Sequence, residues 1–530
     1  MDLLQTRNSS SSTTSPTPPR YYELLSRLGW REAVVLLVIG LVTNVIYNAY
    51  LHPLRKVPGP FLARITELWR TNKYASGQWH QDILELHRQY GPVVRVSTNE
   101  VSFVDQAALE QVYGHSTGTK KTSWYDTWTA KGQGTGFFST TNPQEHAFLR
   151  KRVAGAYSKS AIVAQEASVQ GVLDHLWSRF HQFAKDGQDI DIQVWANYLA
   201  FDVVSQLGMG GPLGFIAGGD TMGLMRAVHQ IFYIQAAVGY IPGKMMCLQW
   251  PIVQRIASLL GQADGFRVFF EWSGRQIKSR MAEGPHKDPD RPRDLLDHFI
   301  SMKEPDGRSA TAPSVGAEVG NLIGAGADTA AVGMAVVMAQ LVEHPEDQAR
   351  LRHEVDEAYE KAGLSGQGSS AQLSLRELEK LPFLNAYVQE ATRLCPSIVW
   401  QLPREAPEAG ITIAGHYIPP GATLGMSPMA HNRSKEIFGD DADEWRPQRW
   451  LPTGELVEGK ATKSERQRRM DKYNVTVSGT CILKHNFLLS CLCLNLPSTN
   501  TRILTSHCLV SSLDTDPGSA SDDISLQWRW

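Results

Sequence analysis

Apolar residues recur at helical spacing along most of the chain between residues 61 and 403. The clearest stretches are GQWHQDILELHRQYG, SVQGVLDHLWSRFHQFAKDG, PEDQARLRHEVDEAYEKAG and LRELEKLPFLNAYVQEATRL. This spacing predicts helices that each bury one face. Two other stretches, PVVRVSTNEVSFV and ITIAGHYIPPGATLGM, alternate apolar and polar residues and predict small hairpins. The pattern therefore predicts one continuous domain that is mainly α with small β-sheets.

The first sixty residues follow a different pattern. Residues 1–32 contain SSSSTTSPTPP and few apolar groups, which predicts a disordered tail. Residues 33–51 carry no charge, and as a helix they are long enough to cross most of a hydrocarbon core about 30 Å thick. A signal peptide and a buried helix are the alternatives. No small-x-small cleavage site follows the run, and a stiff VPGP ends the Pro-rich hinge at residues 52–60. We therefore predict a transmembrane anchor.

Composition narrows the function classes. The net charge of −2 gives no reason to expect a nucleic-acid partner, and 42% hydrophobic residues are enough for a substantial core. Four of the six cysteines lie between residues 481 and 508, and only Cys247 and Cys395 fall in the body of the chain. Two cysteines are too few for a disulfide framework, so the body is typical of a reducing compartment.

The most informative stretch is VGNLIGAGADTAAVGMAVVMAQLV, residues 319–342. It is apolar on nearly every face, so as a helix it runs through the core. It nevertheless carries Asp328 beside Thr329, with no Lys or Arg nearby in the sequence. Buried unpaired carboxylates mark functional sites more often than chance. Gly324 and Gly326 remove side chains just before the pair, which lets another group lie against the backbone. The alternative is an ordinary core helix whose Asp328 reaches solvent.

Charged residues further along form a second candidate group. Glu390 and Arg393 lie three residues apart in YVQEATRL, on one face of a helix. Arg449 lies between Pro447 and Trp450, in a loop that the proline and the aromatic residues hold rigidly. Arg449 could complete a buried network with the first pair. The alternative is a surface ion pair, worth well under about 1 kcal/mol.

A third group is cationic. His146 and Arg150 lie one helical turn apart in HAFLRKR, and Arg404 follows the helix of Glu390 in LPREA. Converging cations of this kind suit a dianionic ligand. Taken alone, each of them is more often a solvated charge.

In this order the motifs resemble those of one protein family. The anchor and the Pro-Gly-Pro hinge come first, followed by His-x-x-x-Arg, Ala-Gly-x-Asp-Thr, Glu-x-x-Arg and Pro-x-Arg-Trp. The stretch HNRSKEIFGDDADEWRPQRW, residues 431–450, is similar to the family's segment before its haem loop. Over roughly residues 55–476 the chain resembles a microsomal cytochrome P-450 monooxygenase of the fungal secondary-metabolism type. The ordered set of motifs is highly specific.

The resemblance implies a cytochrome P-450 fold, with residues 61–476 as the catalytic domain and haem b as the cofactor. Asp328 and Thr329 would deliver protons to dioxygen, and Gly326 would leave room for it. Timed protons in a dry pocket are what cleavage of the O–O bond requires. The remaining implied roles are a structural triad of Glu390, Arg393 and Arg449, and haem propionate contacts from His146, Arg150 and Arg404.

The resemblance also implies partners and a location. An NADPH-cytochrome P-450 reductase would supply electrons from NADPH, and the substrates would be dioxygen and a small lipophilic molecule. The family lines its pocket with residues equivalent to 95–135 and 205–250, whose aromatic and methionine side chains indicate only that the substrate is apolar. The protein would be a single-pass protein of the endoplasmic reticulum membrane, with its catalytic domain in the cytosol.

The expected iron ligand is out of place. The family's next motif is Phe-Gly-x-Gly-x-Arg-x-Cys-x-Gly, whose thiolate binds the iron, and it should begin near residue 477. The chain has VSGTCILKHNF instead. Cys481 is the candidate ligand there, and Leu483 stands where the loop needs a glycine to turn. The histidines and cysteines that follow match no standard zinc spacing.

Residues 477–530 form an aberrant tail with neither helical period nor clear strand alternation, which predicts an unstructured segment and a fold that is incomplete at its C-terminal end. Val-Ser at its start is what a splice-donor sequence beginning GT encodes in frame. The tail therefore resembles intron or frame-shifted sequence, and the alternative is an altered haem loop. Genomic DNA downstream of the Thr476 codon would show whether the missing motif is encoded there.

Three hypotheses follow for the function. The first is a haem-dependent monooxygenase that oxidises a small lipophilic metabolite, inactive as written if the tail leaves it without its ligand loop. The second is a haem-free, non-catalytic membrane protein that keeps part of the fold. The third, a related isomerase or dehydratase that does not activate oxygen, is disfavoured because Asp328 and Thr329 are both present.

Overall fold

The computed structural model confirms a mainly helical protein with small sheets. It describes residues 29–114, 117–129, 134–240, 255, 264–284, 292–364, 372–452, 456–457, 460–461, 464–475 and 503–504. The described helices are α1 (Trp30–Ile46), α2 (Phe61–Ile65), α3 (Leu68–Ala75), α4 (Trp79–Tyr90), α5 (Gln106–Tyr113), α6 (Pro143–Val153), α7 (Lys159–Val163), α8 (Glu166–Asp186), α9 (Ile192–Met209), α10 (Phe215–Gly218), α11 (Leu224–Val238), α12 (Asp264–Glu283), α13 (Leu295–Ile300), α14 (Ala312–Glu343), α15 (Pro345–Lys361), α16 (Leu375–Leu378), α17 (Pro382–Leu394), α18 (Pro428–His431), α19 (Lys435–Phe438) and α20 (Glu465–Tyr473).

Short strands and turns connect these helices. The described strands are β1 (Val93–Ser97), β2 (Glu100–Phe103), β3 (Lys120–Lys121), β4 (Ile190–Asp191), β5 (Arg404–Glu405), β6 (Ile411–Ile413), β7 (His416–Ile418), β8 (Thr423–Gly425), β9 (Leu456–Val457), β10 (Lys460–Ala461) and β11 (Ile503–Leu504). A π-helical turn spans Tyr47–Leu51, and 3₁₀ turns span Pro53–Lys56, Ser123–Trp128 and Pro447–Trp450.

The predicted helices and hairpins form, with one difference. Three of the four clearest periodic stretches become α4, α8 and α15. The fourth divides into α16 and α17, because Pro382 begins a new helix at its first turn, where its missing N–H costs nothing. Both predicted hairpins are antiparallel pairs, β1 with β2 and β6 with β7.

One five-stranded sheet joins distant parts of the chain. Its strand order is β1-β2-β8-β5-β3, in which β2 and β8 are parallel and the other neighbours are antiparallel. In this register Lys121 of β3 lies opposite Arg404 of β5. The sheet therefore brings two cations together that are far apart in the sequence.

The helix α14 runs through the main core, as its apolar sequence predicts. Thr311 caps its N-terminus by accepting the N–H of Ser314, and Pro313 occupies the first turn. It packs along α9 so closely that a Cβ at Gly208 would lie 2.6 Å from Cδ2 of Leu322. Both its faces are covered by other helices, which is why a sequence without a polar stripe is stable here.

The Pro-rich hinge packs against the sheet. The N–H of Arg95 on β1 donates to the carbonyl oxygen of Pro58 at 2.7 Å, and a Cβ at Gly59 would overlap the carbonyl of Arg95. The buried guanidinium of Arg95 donates to the carbonyl oxygens of Asn48 at 3.1 Å and Thr98 at 3.2 Å. These bonds fix the end of the apolar N-terminal helix relative to β1.

The N-terminal apolar helix is a candidate membrane span. It begins at Trp30, inside the predicted tail rather than at Ala33, and with its π-helical turn it reaches Leu51. Only 11% of its apolar window is buried in the protein, whereas α14, which is nearly as apolar, is 83% buried and belongs to the core. Residues 1–28 lie outside the described residues. The division into tail, anchor, hinge and catalytic domain stays a prediction.

The prediction that residues 477–530 are unstructured stays a prediction, although two of these residues form a short strand. Ile503 and Leu504 pair in parallel with Ile190 and Asp191 to form β11 and β4. A two-residue strand leaves too short a sequence for alternation to be recognised. The rest of residues 477–530 lies outside the described residues.

We expect deletion of residues 1–52 to move much of the protein from the membrane fraction to the soluble fraction. The physical reason is that the exposed apolar surface of α1 is removed, while α14 stays buried. Fractionation of the full-length and shortened chains measures the shift. Extraction of the full-length chain by carbonate would contradict a spanning anchor.

Candidate active site

The carboxylate of Glu390 is the centre of a buried polar network. Glu390 lies on α17 and is shielded completely from solvent. Its Oε2 accepts hydrogen bonds from Nε of Arg393 and from the indole N–H of Trp450, both at 2.8 Å. Its Oε1 accepts from Nη2 of Arg393 at 2.8 Å, Nε of Arg449 at 2.9 Å and the backbone N–H of Arg446 at 2.9 Å. The structure thus brings together the three residues of the expected triad.

Both guanidinium groups of this network are fully hydrogen-bonded. Beyond Glu390, Arg393 donates to backbone carbonyl oxygens of the segment 432–444. Arg449 donates to carbonyl oxygens of the same segment and to the carboxylate of Asp441. Each guanidinium therefore uses all of its N–H groups. A buried ion pair stabilises a fold only when its remaining donors are satisfied, and here the segment 432–444 satisfies them.

Asp441 completes the network on its solvent side. It accepts from Nη1 of Arg449 at 3.1 Å and from Nη1 of Arg446 at 2.7 Å. Burial raises the pKa of Asp441, but the hydrogen bonds and charges of the two arginines outweigh it and lower the pKa to about 2. Asp441 is therefore ionised throughout the neutral pH range.

Asn432 joins the network to the chain that follows it. Its backbone carbonyl oxygen accepts from Nη1 of Arg393 at 2.8 Å. Its buried carboxamide donates to the carbonyl oxygen of Val475 at 2.9 Å and accepts the N–H of Val475 at 3.0 Å. Gln467 on α20 adds a hydrogen bond to the carbonyl oxygen of Arg449 at 3.3 Å. Together these bonds fix the position at which the segment after residue 475 begins.

The predicted iron ligand Cys481 lies outside the described residues. So do the tail histidines and cysteines considered for zinc. Among the described residues the one cysteine is Cys395, which is half-buried at the end of α17. Burial raises the pKa of its thiol, so Cys395 does not supply a thiolate at neutral pH. The described part of the chain contains no group of three or more His, Cys, Asp or Glu side chains that could hold a metal ion.

Thr329 is held within its own helix and by a neighbouring segment. Its Oγ1 donates to the carbonyl oxygen of Ala325 at 2.6 Å, a bond to the preceding turn that often bends helices. The hydroxyl of Ser397, just beyond α17, donates to the carbonyl oxygen of Thr329 at 2.8 Å. The helix of Glu390 is thus tied to α14 at the predicted site.

The expectation that Asp328 is unpaired is wrong. Nε2 of His229, on α11, lies 2.9 Å from Oδ1 of Asp328, at ion-pair distance, although the ring N–H is not aligned with the oxygen. The Asp328 side chain is 18% exposed and the His229 side chain 31%, so the pair is only partly buried. No Lys or Arg lies near Asp328 in the sequence, but a histidine from another helix supplies its partner.

The two glycines of α14 are buried, and one of them has a clear packing role. A Cβ at Gly324 would lie 2.7 Å from Cζ of Phe232, so the missing side chain lets this ring rest on the helix backbone. Phe232 also contacts Trp128, with ring centroids 5.5 Å apart. The expected neighbour at Gly324 is therefore an aromatic ring of α11. Gly326 is buried directly before the Asp328 turn.

Four cations gather at the edge of the five-stranded sheet. Lys121, which the sequence analysis missed, lies in register with Arg404. Its Nζ donates to the carbonyl oxygens of Phe137 at 2.9 Å and Phe138 at 2.7 Å. The other members, His146 and Arg150 of α6, lie close enough for their charges to interact.

The electrostatics of this cation cluster disfavour additional positive charge. Burial and the neighbouring Arg404 lower the pKa of Lys121 to about 7. Burial, and then Lys121, Arg150 and Arg404, lower the pKa of His146. None of the four forms an ion pair with a carboxylate among the described residues. A cluster of cations without neutralising acids is suited to bind a dianion.

The residues that the sequence analysis missed share one property. Lys121 and His229 each reach the site from an element that carries none of the recognised motifs. Asn432 lies within the recognised stretch 431–450, but no pattern there indicates its contact with Val475. Lys121 belongs to a two-residue strand, and His229 lies on an ordinary amphipathic helix. Their pairing with Arg404 and Asp328 depends on the tertiary arrangement, and no local pattern in the sequence signals it.

Comparisons with known proteins identify the family to which the chain belongs. The sequence profile of the cytochrome P-450 family matches residues 57–468. Over 436 residues the chain is 30% identical to a pisatin demethylase of Fusarium vanettenii, covering 81% of this chain and 84% of that protein. Over 404 residues it is 33% identical to cytochrome P-450 monooxygenase cicH of Emericella nidulans, covering 75% of this chain and 79% of that protein. The chain belongs to the cytochrome P-450 family, and it is an enzyme of the monooxygenase type by resemblance.

We expect Glu390→Gln to destabilise the fold by about 3–5 kcal/mol, because two buried arginines lose their shared counter-charge. Urea unfolding of the wild type and the variant measures the change in free energy. Glu357→Gln is the matched control, since Glu357 pairs with Lys361 on the exposed face of α15 and its loss should have little effect. Equal effects of the two substitutions would contradict the role of the buried network.

Proposed function

We propose that the protein is a haem-dependent monooxygenase that oxidises a small lipophilic metabolite. Two fungal relatives are named cytochrome P-450 monooxygenases, which supports the reaction type. The observation that carries the proposal is the convergence on one region of three groups. The partly exposed acid Asp328 and the buried hydroxyl of Thr329 lie on α14. The helix of the Glu390 network is joined to α14 through Ser397, and the cation cluster lies at the sheet edge. Each group alone has an ordinary structural explanation, whereas their combination suits oxygen chemistry beside a dianionic cofactor.

The described residues fit haem on the side of its carboxylates. Haem carries two propionates, and the cation cluster supplies four basic groups with no described acid to neutralise them. Lys121, His146, Arg150 and Arg404 would hold these propionates. The expected thiolate ligand belongs to the segment after residue 475, where Cys481 is the candidate.

Haem, when bound, supplies the activation of dioxygen, and the chain's own residues control protons and water. The carboxyl group of Asp328 lies at the partly exposed edge of α14, where it can take up protons and pass them on. The hydroxyl of Thr329 donates to Ala325 and keeps its oxygen lone pairs free to accept a proton from a neighbour. Apolar packing on both sides of α14 excludes water from the rest of this region. Gly326, without a side chain, would leave room for dioxygen.

The aromatic wall beside Gly324 supports a lipophilic substrate. Phe232 rests on Gly324 and contacts Trp128, and Trp128 also contacts Phe138 with ring centroids 5.5 Å apart. Aromatic and apolar linings of this kind are typical of pockets for small apolar ligands. This lining therefore indicates an apolar substrate.

The partners and the location follow from the family. Electrons would come from NADPH through a cytochrome P-450 reductase, and dioxygen would be the second substrate. The candidate span at Trp30–Leu51 supports attachment to a membrane. We propose the endoplasmic reticulum membrane, crossed once, with the catalytic domain in the cytosol.

A haem-free, non-catalytic protein is the second candidate function. The family match ends at residue 468, so the segment that contains Cys481 lies beyond it. This segment lacks the phenylalanine, the arginine and the glycine two residues after the cysteine of the family's ligand loop. Without the glycines the loop would not turn tightly enough to shield a thiolate, and any bound haem would be displaced easily or bound by a histidine.

Carbon monoxide difference spectroscopy of the full chain tests the proposed function. The protein is expressed with excess haem, reduced and exposed to carbon monoxide, and haem content is measured in parallel. A red-shifted thiolate band that Cys481→Ser abolishes would establish Cys481 as the ligand, and consumption of NADPH and oxygen would then separate a monooxygenase from an isomerase. Absence of haem from the full chain, together with a thiolate band in a chain carrying the complete ligand motif, would establish the second candidate function.

We expect Thr329→Ala to lower the amount of product formed per NADPH consumed in haem-loaded protein. Without the hydroxyl, proton delivery is mistimed and reducing equivalents are lost as hydrogen peroxide. Thr392→Ala is the matched control, because Thr392 on α17 makes the same bond to its preceding turn, at 2.9 Å from Val388. An unchanged ratio of product to NADPH in Thr329→Ala would remove this residue from the mechanism.

We expect Lys121→Met to have opposite effects on the haem-free and haem-bound states. Folding lowers the pKa of Lys121 to about 7. Its positive charge therefore destabilises the folded protein most below pH 7. The destabilisation disappears at the alkaline pH where lysine is deprotonated in the unfolded chain as well. The haem-free variant should therefore unfold at higher temperature at pH 6, and the difference should vanish at alkaline pH. Haem affinity should fall in the same variant.

Lys120→Met provides the control for this change. Lys120 precedes Lys121 but is exposed and points toward Glu408. It should alter neither the unfolding temperature nor haem affinity. Lower stability of the haem-free Lys121→Met protein at pH 6 would show that the lysine serves the fold instead of a bound dianion.

A further inference from the structure

Two contacts set the register between α11 and α14. His229 of α11 faces Asp328 of α14, and Phe232 of α11 faces Gly324 of α14. The two contacts lie about one helical turn apart on each helix. The ring of Phe232 occupies the space left by Gly324, so α11 is unable to slide without a clash. This packing places the imidazole of His229 opposite the carboxylate of Asp328. The pairing is therefore fixed by the packing of the two helices.

The surroundings of His229 favour its charged form. Burial lowers its pKa, but the close carboxylate of Asp328 and the more distant charge of Asp220 outweigh burial, and the net shift is upward. Asp220 lies just before α11 and caps it by accepting the N–H of Leu224 at 2.7 Å. Among the described residues, no charged group of α3, α12 or the 3₁₀ turn at 123–128 contributes to the pKa of His229.

We propose that His229 is a positioning residue for Asp328, which holds the carboxylate in place on α14 and returns protons to it. This inference rests on the proposed function, in which Asp328 gives up a proton in each cycle. The proton on Nε2 of the imidazolium moves to Oδ1 of the carboxylate, which leaves a neutral imidazole and a neutral acid. Asp328 then passes this proton on in the reaction, and the imidazole regains a proton from solvent at its exposed edge. These two steps restore the starting pair of imidazolium and carboxylate.

The geometry supports both parts of this role. The separation of 2.9 Å between Nε2 and Oδ1 is within the range for proton transfer, after a small rotation that aligns the N–H. The imidazole is more exposed than the carboxylate, so it is the member of the pair that meets water first. Histidine suits the task because its charge changes near neutral pH, whereas lysine and arginine stay charged.

Titration of the histidine signals tests the pairing without haem or turnover. The full chain is labelled with ¹³C at Cε1 of histidine, and His229→Gln identifies the signal of His229. We expect this signal to titrate at higher pH than an exposed histidine and to lose its upward shift in Asp328→Asn. His353→Gln, which removes an exposed histidine beside Glu357, should leave the signal of His229 unchanged. A titration midpoint that is the same in Asp328→Asn and the wild type would overturn the pairing.

Turnover of haem-loaded protein separates proton return from simple ion pairing. His229→Gln should lower product per NADPH, and the loss should persist at every pH where the wild type is active. His229→Arg keeps a positive charge but does not titrate, so it should fail to restore the wild-type ratio. Restoration by arginine would reduce His229 to a counter-charge and overturn its role in proton return. Failure to bind haem would count against the proposed function instead, and the titration would still decide the pairing.

Discussion

The buried carboxylate of Glu390 is the interaction on which the rest of the structure depends. It accepts hydrogen bonds from two arginines, an indole and a backbone N–H in a region that solvent does not reach. Charges buried in this way are costly unless every partner is satisfied, and removal of one member leaves the others uncompensated. The network therefore holds α17 and the segment 432–450 together as one unit, beside the apolar cluster of Ala386, Phe438 and Trp450.

This unit positions the candidate site on two sides. Toward α14, Ser397 extends the chain of α17 to the carbonyl oxygen of Thr329, and Arg404 follows in the strand that meets Lys121. On the other side, Asn432 accepts a hydrogen bond from Arg393 and donates one to Val475, which links the network to the start of the segment after residue 475. Thr329, the cation cluster and the start of the segment after residue 475 are thus all fixed to the helix that bears Glu390.

The sequence predicts those parts of the arrangement that depend on residues close together in the chain. The periodicity of α14 and the spacing of Glu390 and Arg393 follow from helix geometry, so the core helix and one edge of the network could be predicted. The neighbours of Asp328 and Arg404 could not be predicted. His229 reaches Asp328 through helix packing, and Lys121 reaches Arg404 through strand register. The break before Pro382 was missed because the apolar period continues across it.

The same reasoning explains the outcome for the chain ends. The run at residues 33–51 is recognisable because it lacks charges, although the helix starts earlier, at Trp30. Two-residue strands such as β11 are too short to carry an alternation, so no sequence pattern indicates them. The role of Cys481 depends on a loop geometry that its sequence does not specify.

Hydrogen–deuterium exchange of Glu390→Gln, compared with the wild type, tests the central claim most directly. If the carboxylate joins α17, the segment 432–450 and the entry to the ligand segment, amide exchange should accelerate together in residues 432–450 and 464–475. Exchange in α8, which lies in the main core away from the network, should change much less. Exchange that accelerates in residues 432–450 while residues 464–475 keep their full protection would contradict the account.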